Sequence, residues 1–353
     1  MLHGFAIVCL LMGVCPWGWS ENTQSQDTAA VERTVPQERV RSQSTPQDAS
    51  EPTVVPPHGS RQLPDAQRIL FLGDSITYSG RYISLLEYAI CRTPPERQIE
   101  LLNLGLPSET VSGLSEPGHA GGQFPRPDLH ERLQRVLDQV QPDYVVACYG
   151  MNDGIYYPLG EERFAAYQAG IRRLQQELDD RGVGLCLLTP AMFDSLPLGD
   201  RVLPEGLDAY PQPYRDYDQV LRTYADWLLL QRGEKRMVLD VHAAMRAAVA
   251  NERAQDPQFT FAPDGVHPTD AGHEVIARVL ADAWGLELKM PTPGTAEAEL
   301  YEQIAQKQAL LKHAWLGQTG HKRPGIPAGV SMESAQQQAE QFHQKIQAIR
   351  LRL

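Results

Sequence analysis

Five short apolar runs punctuate the middle of the chain: Arg68–Asp74, Gln98–Leu104, Asp143–Tyr149, Val183–Thr189 and Met237–Val241. None alternates between apolar and polar residues, so each reads as a strand buried on both faces, as in a parallel sheet. Helical spacing fills the gaps. Phe164, Tyr167, Ile171, Leu174 and Leu178 recur every three or four residues and form one apolar stripe. Similar spacing predicts helices over about Arg81–Cys91, Leu129–Val140, Tyr214–Gln231, His242–Arg253 and Ala271–Trp284. Strand and helix in alternation predict an α/β fold, a five-stranded parallel sheet sandwiched between helices.

The two ends of the chain read differently. Met1–Ser20 holds no Asp, Glu, Lys or Arg, and its apolar stretch Phe5–Val14 is too short to span a bilayer. Residues 1–20 are therefore expected to be a secretory signal peptide, with a secreted or periplasmic product. Residues 21–64 are rich in Gln, Ser, Thr and Pro and nearly free of aromatics, which predicts a disordered linker. The alternating region is bounded as 65–290. Residues 291–353 form a helical extension, with helices near Ala296–Leu316 and Glu333–Leu353. Two long loops, Pro107–Pro127 and Pro190–Pro213, each follow a strand and are expected to overhang one rim of the sheet.

A formal net charge of -12 argues against nucleic acid and anionic membrane surfaces as partners, and no stable membrane insertion is expected. Past the leader only Cys91, Cys148 and Cys186 remain, with neither zinc-site nor disulfide-framework spacing. No metal or other cofactor is expected.

The candidate chemistry sits at strand ends. Gly73-Asp74-Ser75 closes the first apolar run and would leave a serine hydroxyl at the rim, next to a helix start. Serine is a poor nucleophile without a base, and the base needs an orienter. Asp264-Gly265-Val266-His267-Pro268 can supply both, with the carboxylate against one imidazole nitrogen and the other left for Ser75. Asn152, after the third run, offers amide donors for a developing oxyanion, and Gly105, after the second, offers a backbone N–H. Each motif alone is ordinary turn chemistry; four at one predicted edge are not.

Together, Gly73-Asp74-Ser75, Gly105, Gly150-Met151-Asn152-Asp153 and Asp264–Pro268 resemble the four sequence blocks of the SGNH hydrolases, the GDSL-type esterases and lipases. The resemblance runs from about Arg68 to Gly285. It implies a flavodoxin-like three-layer α/β/α sandwich, Ser75 as nucleophile, and His267 with Asp264 as base and orienter. It also implies an oxyanion hole from the Ser75 N–H, the Gly105 N–H and the Asn152 side chain. Asp74 and Asp153 are expected to brace loops. Tyr149, Met151, Tyr156 and Phe193, with Arg126, fall near the rim loops and are candidates to line the substrate pocket.

The expected activity is a secreted serine esterase that removes short acyl groups, acetyl foremost, from a carbohydrate or other acylated small molecule. The alternatives are a lysophospholipase-like lipid esterase, acyl transfer to a sugar acceptor, and a non-catalytic carbohydrate-binding protein on the same fold.

Overall fold

The computed structural model describes residues 62–94, 98–233 and 236–353. The expected signal peptide and almost all of the expected linker lie outside these residues. Five strands, β1 (Arg68–Gly73), β2 (Glu100–Asn103), β3 (Tyr144–Cys148), β4 (Gly184–Leu188) and β5 (Arg236–Leu239), form one all-parallel sheet in the order β2-β1-β3-β4-β5. This is the flavodoxin-like order. Ile69, Leu70, Phe71 and Leu72 of β1 are each 0% exposed, which is why the run shows no alternation.

Nine α-helices accompany the sheet among the described residues: α1 (Ser75–Ser79), α2 (Arg81–Arg92), α3 (Leu129–Val140), α4 (Glu161–Asp179), α5 (Tyr217–Leu229), α6 (Val241–Arg253), α7 (Asp270–Trp284), α8 (Ala296–Thr319) and α9 (Met332–Arg350). On one face α7 packs against both α2 and α6. On the other, His130 Nε2 of α3 donates to Gly170 O of α4 at 3.0 Å, and Tyr167 of α4 stacks on Tyr224 of α5 with ring centroids 4.4 Å apart. The start of α5 differs from the sequence expectation. Tyr214 is not helical because its backbone bridges to Leu203 and its N–H donates to Tyr156 O at 2.8 Å.

The C-terminal helices have a defined place. The open edge of β2 would present unpaired backbone groups. Instead α8 lies along it, and Gln308 Nε2 donates to Leu101 O of β2 at 2.8 Å and to the buried Glu87 carboxylate at 2.6 Å. Leu300, Ile304, Ile346 and Ile349 of α8 and α9 close around Tyr88 of α2 as a second small core.

All five strands end at the same rim. The chain leaves β1 to one side for β2 and returns to the other for β3, so a crevice opens between the β1 and β3 ends.

Candidate active site

Ser75 is the first residue of α1, directly at the end of β1, and is half-buried. Asp74 caps the helix, its carboxylate accepting the Ile76 N–H at 2.9 Å. As the first helical residue, Ser75 has a backbone N–H with no acceptor inside the helix.

The Asp264–His267 turn reaches Ser75 across the crevice. His267 Nε2 lies 2.8 Å from Ser75 Oγ, and His267 Nδ1 lies 2.6 Å from Asp264 Oδ2. Asp264 Oδ1 accepts the backbone N–H groups of Val266 at 3.0 Å and of His267 at 2.8 Å, so one carboxylate oxygen builds the turn while the other holds the ring. Gly265 makes this turn possible. Its φ is 81°, and an added Cβ would stand 2.8 Å from Asp194 O. Asp194, in the loop after β4, is the anchor beneath. Its N–H donates to Gly265 O at 2.9 Å, and its carboxylate accepts from Arg253 at 2.7 Å and Thr260 at 2.5 Å.

Asn152 sits after β3 and is buried. Its Oδ1 accepts from Arg126 Nη1 at 2.9 Å and from the Tyr156 hydroxyl at 3.1 Å, while Nδ2 donates one bond to Glu109 O at 3.2 Å. The second Nδ2 hydrogen has no partner among the described residues. Asp153 is buried beside it, with Oδ1 accepting the N–H groups of Val111 and Ser112 at 2.9 and 2.8 Å. It ties the strand end to the loop that follows β2.

Gly105 occupies a different position from the one expected of it. Its N–H donates to Asn103 Oδ1 at 2.9 Å, and an added Cβ would stand 2.4 Å from Tyr78 N. The glycine lets the backbone of α1 come close; its donor is engaged. Directly after it, Leu106 to Glu109 closes a turn with Glu109 N–H donating to Leu106 O at 3.1 Å, Pro107 second and Ser108 third at φ 68°. This is a type II pattern. The turn runs from Leu106, whose N–H donates to Gly73 O, to Glu109, whose carbonyl accepts from Asn152. The Ser108 N–H has no partner among the described residues and lies between the two. A Pro-Ser pair just past a strand is the signal that points to it.

The expected pocket lining is a correction. Tyr149, Met151, Tyr156 and Phe193 are all buried, none more than 6% exposed. Tyr149 donates its hydroxyl to Glu109 at 2.7 Å, and Tyr156 and Phe193 pack on each other and on Tyr217. Large apolar residues at these strand ends fold back into the core instead of facing a ligand. Arg126 is likewise buried, in an ion pair with Glu116 that the sequence did not reveal.

Electrostatics distinguish the acids. Partial loss of water works to raise the Asp264 pKa, but the bonds from the His267 ring and from two backbone N–H groups hold it down at about 2. The same partial desolvation works to lower that of His267, yet the bond and charge of Asp264, with Asp74 behind, carry it above its ordinary value. Asp74 is pushed up to about 7 by burial, against the Ile76 N–H and His267, and with Asp153 and Glu109 adding to the rise. No group of three or more His, Cys, Asp or Glu able to hold a metal ion occurs among the described residues.

Residues 71–275 match the GDSL-like Lipase/Acylhydrolase family. An acetylxylan esterase of Geobacillus stearothermophilus is 23% identical over 247 residues, which cover 64% of this chain and 97% of that protein. The solved structure of an acetylxylan esterase from the same organism aligns with TM-score 0.43 and 24% identity over 64% of this chain and 97% of that one. A gut microbial diltiazem-metabolizing enzyme aligns with TM-score 0.46 and 21% identity over 64% of this chain, spanning only 48% of that enzyme. The family match takes in more than half of the chain and all of the residues gathered at the rim, so the chain belongs to the GDSL-like lipase/acylhydrolase family and is a carboxylic ester hydrolase.

Proposed function

We propose that this chain is a serine esterase that removes short acyl groups, acetyl foremost, from a carbohydrate through an acyl-enzyme. The observation that carries the reading is the unbroken relay from Ser75 Oγ through His267 to Asp264, at 2.8 and 2.6 Å. His267 takes the Ser75 proton as the hydroxyl attacks the ester carbonyl. The oxyanion that forms meets the Ser75 N–H, the spare Asn152 amide hydrogen and the Ser108 N–H, the last in place of Gly105. His267 then protonates the leaving alcohol, a water enters, and the same base drives hydrolysis of the acyl-enzyme.

Two facts support a carbohydrate ester. The relative named above is an acetylxylan esterase, and the Asp264 and His267 side chains are each 53% exposed. A triad so open admits an ester carried on a bulky, hydroxyl-rich chain. Among the described residues no helix is long and apolar enough to cross a membrane. The reading assigns the chemistry to residues 65–290, with 1–20 removed on export, 21–64 as a linker and 291–353 as a helical addition.

The test is a panel running from acetylated xylo-oligosaccharides to esters of two to eight carbons and phospholipids, with Ser75→Ala as control. Acetylated sugars should give the highest kcat/KM, and a fluorophosphonate should label Ser75. Activity surviving in Ser75→Ala ends the nucleophile assignment. Specificity that climbs with acyl length replaces the carbohydrate reading with a lipid esterase.

A further inference from the structure

We infer that Arg126, locked by Glu116, is a positioning residue that fixes and polarises the Asn152 amide for oxyanion binding. The inference rests on Asn152 acting as the donor proposed above.

Each nitrogen of the guanidinium has a partner. Nε and Nη2 donate to the two Glu116 carboxylate oxygens at 2.7 Å each, and Nη1 donates to Asn152 Oδ1 at 2.9 Å. Arg126 is 6% exposed, so it is not placed to meet a substrate itself. A bidentate carboxylate fixes the plane of the fork, and the remaining arm then has one direction to point. Two further contacts hold it. The Arg126 N–H donates to Ser115 Oγ at 2.9 Å, and the guanidinium lies over the Tyr156 ring at 5.5 Å. Glu116 is ionised for this task, since bonds from His119 and Arg126 overcome burial and hold its pKa at about 2.

The effect on Asn152 is twofold. Arginine donates only, so the amide must turn its oxygen toward Arg126 and its nitrogen toward the crevice. Tyr156 enforces the same orientation. It stands in left-handed backbone at φ 57°, next to a β-branched Ile155 also at φ 57°, and its hydroxyl donates to the same oxygen. Strain of this kind persists only where its surroundings hold it. The second effect is electronic. A cation on the amide oxygen favours the resonance form with charge separated toward nitrogen, so the Nδ2 hydrogens become stronger donors. Bonds in such low-dielectric networks reinforce one another.

A brace that merely ties the Pro107–Pro127 loop together would have the same contacts with Glu116 and Ser115, so the test must separate the two roles. The measurement is a double-mutant cycle on acetyl-ester hydrolysis by the full chain, with Arg126→Met and Asn152→Ala alone and combined. Arg126→Met should lower kcat by about 10- to 100-fold, part of the 10²–10³ that an entire oxyanion donor supplies, with KM within about twofold. In the Asn152→Ala background the same change should cost almost nothing. Arg126→Lys, which keeps the cation but not the fork, should recover part of the loss. Affinity for a trifluoromethyl ketone, which forms a bound oxyanion, should fall in step with kcat.

Additive losses in the cycle, or a loss confined to KM, overturn the inference in favour of a loop brace. Should Arg126→Met not fold, Arg126→Lys and Tyr156→Phe carry the same cycle, with additive losses again pointing to the brace. A full-activity Asn152→Ala instead removes the oxyanion assignment itself, a separate outcome.

Discussion

Replacing Asp264 by Asn changes one atom of the relay and its consequence follows from the hydrogen bonds already made. Asp264 Oδ1 accepts two backbone N–H groups, at 3.0 and 2.8 Å, while Oδ2 faces His267 Nδ1 at 2.6 Å. An asparagine keeps its oxygen on the two backbone donors, because a flip would set the NH₂ against both of them. Its NH₂ must then face Nδ1, which can answer only as an acceptor. The imidazole proton is forced onto Nε2, opposite Ser75 Oγ, where the base needs a lone pair. The turn survives and the base is lost. A wrong-tautomer variant of a serine triad typically loses about 10⁴ in rate, which is about 5.4 kcal/mol of transition-state stabilisation. The assay is kcat/KM on an acetyl ester at pH 8, with circular dichroism and a urea midpoint to show that the fold is intact. Activity within tenfold of the parent would refute the reasoning, since it would mean that the carboxylate does not set the tautomer.

Three further outcomes are expected. His267 must be neutral to accept a proton and its pKa is raised, so kcat/KM should climb with pH through a midpoint above the ordinary histidine value of about 6.5; a midpoint below that value contradicts the pairing with Asp264. Asp74 holds its proton up to about 7 when folded and only to about 3.9 when unfolded, so the native state binds more protons between these values and its stability falls as pH rises. Asp74→Asn keeps a capping side chain, and its urea midpoint should gain on the parent between pH 4 and 7; a pH-independent difference rejects this account. Gly105→Ala puts a Cβ 2.4 Å from Tyr78 N and should cost about 1–3 kcal/mol, read from the same denaturation, whereas an unchanged midpoint would mean that α1 does not pack so closely.

The strands were legible because burial on both faces removes alternation, as at Ile69–Leu72, and the helices because one stripe of each meets the sheet. Ser75, His267, Asp264 and Asn152 were legible because their neighbours demand special turns at a sheet edge. What escaped the sequence is what depends on contact. Whether Tyr149 or Phe193 faces a ligand or the core is set by the elements above it, and in both cases the core has it. Gly105 and Ser108 lie three residues apart in the same loop. Only the Asn103 bond and the positive φ at Ser108 show which N–H is open. Glu116 and Arg126 carry opposite charges ten residues apart, a spacing that says nothing until the loop folds their forks together. Asp194 reads as one more loop acid, yet it holds the turn that carries Asp264 and His267.

The position of α8 along β2 bears on how the enzyme fares once a protease reaches it. The connection from α7 is largely exposed over residues 289–295, ends in a turn at Pro293 and Gly294, and a cut there breaks no strand and touches none of the rim residues. While α8 stays docked, such a nicked molecule would still hydrolyse esters. Once α8 and α9 dissociate, Leu101 O loses the side chain that satisfies it and the flank of β2 becomes a template for another chain. Clipped enzyme should therefore leave solution by precipitating, or by two copies exchanging their helical pairs, before its chemistry fails.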